Sequence, residues 1–78
     1  MNELKLQEMN PERVIYAYQP EGTGEEEEIV YSFVDGKAFV GRQSPNDEFG
    51  RYAHKACAKI EECVKKNNLP IRFVQAWA

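Results

Sequence analysis

Asp35-Gly36 stands between two runs of alternating apolar residues, at positions 29–34 and 37–43. This dipeptide tolerates the left-handed backbone that a two-residue type I′ turn demands, so it predicts a tight antiparallel hairpin. A chain with such a hairpin cannot be all-helical, and the remaining segments must be read as partners for it. Residues 12–19, ERVIYAYQ, alternate Val14, Tyr16 and Tyr18 against Ile15 and Ala17 and predict a preceding strand. Residues 71–77, IRFVQAW, repeat the pattern and predict a last strand that includes Trp77.

Between the hairpin and the last strand the period changes. Phe49, Ala53, Ala56, Ile60 and Val64 recur every three or four residues, with Tyr52, Cys57 and Cys63 beside them, as the buried stripe of one helix requires. Ser44 suits the N-cap, Pro45 the first helical position, and Asp47 and Glu48 the positive end of the dipole. Asn67-Asn68 and Pro70 end the helix, which is expected over 45–67. Residues 1–11 carry only a weak apolar rhythm closed by Asn10-Pro11, and are expected to be a flexible N-terminal arm. Residues 20–28 join turn formers to four consecutive glutamates and are expected to be an exposed, mobile connection.

The expected fold is α+β with element order βββαβ: one domain over 12–78, with a four-stranded, mainly antiparallel sheet and one long helix packed on one face. The crossover from the third strand through the helix to the fourth is expected to be right-handed. This element order is similar to that of small HicB-type antitoxins and other half-ribonuclease-H-like modules, a likeness of topology alone. Val14, Tyr16, Tyr18, Ile29, Tyr31, Phe33, Phe39, Ile71, Phe73 and Trp77 are expected to face the helix. Ile15, Ala17, Val30, Val34, Ala38, Val40, Val74 and Ala76 then fall on the reverse face, which one helix cannot also cover. That face, through Ile15, Val30, Val34, Val40 and Val74, is the expected interaction surface, with a homodimer as its first occupant and a protein partner as its second.

A chain of 78 residues can bury only a small core, yet nine aromatics are more than a disordered segment carries. No apolar run is long enough to span a membrane and no export signal is evident, so a cytoplasmic protein is expected. The net charge of −3 is unevenly spread: residues 1–35 hold nine acids and two bases, and residues 36–78 hold four acids and eight bases. An acidic total disfavours a nonspecific grip on nucleic acid. The basic helix face of Arg51, Lys55, Lys59 and Lys66 nevertheless supports an alternative reading as an antitoxin-like nucleic-acid-binding regulator. The run Glu25 to Glu28 could meet a basic partner, although such runs are usually solvated.

His54, Cys57 and Glu61 at i, i+3 and i+7 put an imidazole, a thiol and a carboxylate along one helical stripe. A zinc site would need a fourth ligand that no second histidine or CxxC pair supplies, so neither a metal nor a cofactor is expected. A Cys57–His54 nucleophile pair is the third reading, weakened by the mid-helix position of Cys57 and the lack of an oxyanion loop. The preferred expectation is a small non-enzymatic interaction module.

Overall fold

The computed structural model describes residues 1–76. It confirms the α+β class with one strand more than expected: β1 (Asn2–Met9), β2 (Arg13–Pro20), β3 (Glu27–Ser32), β4 (Lys37–Val40), α1 (Arg51–Lys65) and β5 (Arg72–Gln75). The five strands make one sheet in the order β4-β3-β2-β1-β5, antiparallel at every junction. The expectation for Trp77 lies outside the described residues.

The added strand is the segment expected to be a loose arm. Its apolar residues Leu4 and Leu6 pair with Tyr18 and Tyr16, and a register shift between Leu6 and Glu8 brings Met9 opposite Val14. That bulge inserts Gln7 as an extra residue and returns the apolar side chain of Met9 to the helix side. On its other edge β1 takes β5, with Leu4 opposite Phe73 and Asn2 opposite Gln75. The weak alternation of NELKLQEM is what a central strand shows when one face is packed and the other is wet.

The helix starts six residues later than expected. Ser44 and Pro45 belong to a loop, and Gly50, with φ +69°, precedes the first turn without a side-chain cap of its own. The cap comes from Asp47, whose Oδ1 accepts the Tyr52 N–H (3.0 Å) and whose Oδ2 accepts the Ala53 N–H (2.8 Å). The Tyr18 hydroxyl donates to the same carboxylate (3.3 Å) and accepts the Ser44 N–H (2.7 Å), tying this loop to β2. Phe49 therefore stays outside the helix and is 84% exposed. The hairpin exists, but Ser32 pairs with Lys37, so four residues rather than two make the turn, with the left-handed conformation at Gly36 alone.

One face of the sheet and the inner stripe of α1 enclose Leu4, Val14, Tyr16, Tyr18, Ile29, Tyr31, Ala53, Ala56 and Ile60. Six sheet residues, three of them tyrosines, against two helical alanines let the helix lie close, as complementary packing demands. Polar ties reinforce it: Asn2 Nδ2 donates to Tyr52 O (2.8 Å) and Gln75 Nε2 to Lys55 O (3.0 Å). Burial of the Tyr16 and Tyr18 phenols pushes both up to about 12.

Candidate interaction surfaces

The register corrects the expected division of faces. Ile29 pairs with Val40, Tyr31 with Ala38 and Val30 with Phe39. Cross-strand partners share a face, so Ala38 and Val40 lie on the helix side while Phe39 joins Val30 on the reverse. Val34 is in the hairpin turn, 83% exposed. Val74 is on the reverse face at the far edge, opposite Glu3. Of the five expected interaction residues, the structure joins only Ile15 and Val30, which with Phe39 form one apolar line across β2, β3 and β4.

β1 fills the rest of the reverse face with charge. Glu3 lies beside Arg72, Lys5 bonds Glu26 (3.2 Å), and Glu8 accepts from Arg13 Nε (2.8 Å). The reverse face is thus a mixed surface rather than a continuous apolar one. The glutamate run is partly built in: Glu27 and Glu28 belong to β3, and Glu27 is within 3.6 Å of Arg42.

His54, Cys57 and Glu61 do converge, along a groove of about 380 Å³ between α1 and β4. Their arrangement serves the fold. Glu61 Oε2 accepts the outward N–H of Ala38 (2.8 Å) and so occupies the edge of β4. Burial, followed by the charge of Glu61, pushes the Cys57 thiol up to about 11, opposite to the activation a nucleophile needs. Cys63, expected at the margin, is the more deeply buried of the two free cysteines. Among the described residues no group of three or more His, Cys, Asp or Glu side chains is placed to hold a metal ion.

A further cavity was not foreseen. It is a cleft of about 520 Å³ where the β1–β2 turn, the β3–β4 turn and the end of α1 meet, lined by Met9, Asn10, Pro11, Phe33, Val64, Asn67 and Leu69. Phe33, expected in the core, is 41% exposed here and Met9 is 60% exposed. The Phe33 N–H donates to Glu12 O (2.9 Å), which joins the two turns into one rim. The lining contains no ionisable side chain. The signal was present as Met9, Phe33 and Leu69, apolar residues adjoining the turns that sequence periodicity assigns to no common face.

Along the outer side of α1, Lys59 and Lys66 lie 3.6 and 2.9 Å from the single carboxylate of Glu62. The bond from Lys66 holds the Glu62 carboxyl below its ordinary range and raises Lys66 in return. Arg51 is exposed and Lys55 half-buried on the same helix. Among the described residues no helix is long and apolar enough to cross a membrane. No family model, curated protein or solved structure matches the chain.

Proposed function

We propose that this chain is a non-enzymatic, cytoplasmic interaction module that docks on a protein partner through its apolar end cleft. The observation that carries this reading is the lining: Met9, Phe33, Val64 and Leu69 open to solvent with no ionisable group beside them. Such a cleft favours an apolar side chain, whose burial is worth roughly 1.5–3 kcal/mol, and offers no acid, base or nucleophile for chemistry. The raised thiol of Cys57 and the structural bond made by Glu61 count against the enzymatic reading.

Self-association is the second form of the proposal, supported by the line Ile15, Val30 and Phe39, the last 43% exposed. Sedimentation of Phe33→Glu and Phe39→Glu beside the parent chain separates the forms. A dimer broken only by Phe39→Glu uses the sheet face, and one broken only by Phe33→Glu uses the cleft. For a monomer, titration with a hydrophobic dye should shift the amide signals of Met9, Phe33, Val64 and Leu69. A dye that binds nowhere near these four residues would overturn the cleft reading.

A further inference from the structure

β5 is an edge strand, and its register leaves a row of backbone groups open. The Leu6 N–H donates to Ile71 O (2.7 Å), in step with the pairs Leu4–Phe73 and Asn2–Gln75. Hydrogen-bonded and open positions alternate along an antiparallel strand, so the N–H and C=O groups of Arg72 and Val74 point away from β1. Among the described residues no hydrogen bond reaches them from that side. On the opposite edge Glu61 already takes one outward group, the Ala38 N–H of β4.

The open edge lies beside the basic side of α1. Two shallow grooves run between them, one of about 280 Å³ whose lining includes Lys59, Glu62, Lys66, Phe73 and Val74, the other of about 260 Å³ whose lining includes Lys55, Lys59, Glu62 and Gln75. Lys59 and Lys66 share one carboxylate, Glu62, so positive charge is in excess over the edge.

We propose that β5 takes up an extended acidic segment of a partner protein as a sixth strand. This rests on the protein-docking reading but uses a surface separate from the end cleft. The added strand would satisfy the open main-chain groups of Arg72 and Val74, the usual source of affinity in strand addition. Its residues alternate between faces: those beside Phe73 and Gln75 come under the lysines and call for Glu or Asp, and those beside Val74 call for apolar side chains. A second copy does not meet this requirement. Pairing β5 with β5 would bring Lys59 and Lys66 of both copies, with one Glu62 to each pair, toward the same joint, and like charges across an interface are unfavourable. The chain's own acidic run leads into β3, which is hydrogen-bonded on both sides and cannot be donated. A nucleic acid would answer the lysines but could not satisfy alternating N–H and C=O groups.

The test uses the full chain and a short fluorescein-labelled peptide of alternating Glu and Val, followed by anisotropy and by amide shifts. Binding is expected with shifts at Arg72 to Gln75. It should weaken at least about tenfold in the Lys59→Glu/Lys66→Glu variant, whose changes are on the surface. It should also weaken when the peptide is N-methylated at alternate residues, a change that leaves the protein untouched. No binding, equal binding of a Lys-Val peptide, indifference to N-methylation, or tighter binding of a single-stranded RNA oligomer would each overturn the proposal. So would shifts confined to Met9 and Phe33. The dye titration at the cleft is independent, so failure here leaves the docking reading standing or falling on its own result.

Discussion

Asp47→Ala should be among the most damaging single substitutions in this chain. The carboxylate is 2% exposed and accepts from Tyr52 N, Ala53 N and the Tyr18 hydroxyl at 3.0, 2.8 and 3.3 Å. Losing a cap costs about 0.5–2 kcal/mol, and each buried donor left without an acceptor adds on the order of 1 kcal/mol or more. A total of about 3 kcal/mol is expected, most of what a core of this size supplies. At a urea dependence of about 1 kcal/mol per molar, the midpoint should fall by about 3 M. Urea melts followed by far-ultraviolet circular dichroism would measure this. Asp47→Asn, which keeps one carbonyl acceptor, should cost roughly half as much. Ser44→Ala removes only an acceptor for Asn46 N (3.1 Å) and should cost about 0.5 kcal/mol. If Ser44→Ala proved as harmful as Asp47→Ala, the helix would begin at Pro45 and the capping argument would fail.

Alkaline titration should reveal the buried phenols. Tyr16 and Tyr18 have folded values near 12 against an ordinary 10.0, so between these values the unfolded chain holds fewer protons and stability should fall as pH rises; stability unchanged across that window would refute their burial. Cys57, at about 11 against 9.0, should react with iodoacetamide about a hundredfold more slowly at pH 8 than an unfolded control. Comparable rates would reopen the nucleophile reading. Gly24 has φ +80° and a Cβ there would fall 1.9 Å from Asn46 Nδ2, whereas Gly36, at φ +69°, faces open space. Both alanine variants should lose about 1 kcal/mol for the left-handed backbone, with Gly24→Ala the worse; equal thermal midpoints would show that Asn46 moves aside freely.

The elements legible in the sequence were those whose period is long and whose punctuation is strong. The helical stripe through Ala53, Ala56 and Ile60 and the alternation through Tyr16 and Tyr18 survive unchanged, because each follows from a single burial direction. β1 was hidden because its outward residues, Glu3 and Lys5, are charged and its bulge after Leu6 breaks the alternation. The helix start was misread because Ser44, Pro45 and Asp47 satisfy the local capping preferences, yet Asp47 acts from a loop across five and six residues. The face of Phe39 was legible: any hairpin turn of even length pairs odd with even positions, which sets Phe39 opposite Ser32 or Val30 rather than beside Tyr31. The end cleft was not, since it depends on two turns meeting through the Phe33–Glu12 bond.

The placement of β1 between β2 and β5 also sets an order of events during synthesis. β1 can pair with β2 as soon as residue 20 is free, and the β3–β4 hairpin can add soon afterwards, all through short loops. Its other edge must wait for a strand some 70 residues away, whose contact carries the loop-closure cost that slows folding. Until β5 leaves the ribosome, β1 presents an unpaired flank made of Asn2, Leu4 and Leu6, a template open to the wrong strand. A chain stalled or cut before Ile71 would keep that flank exposed permanently, so aggregation of C-terminally truncated products, more than of point variants, is the characteristic failure of this topology.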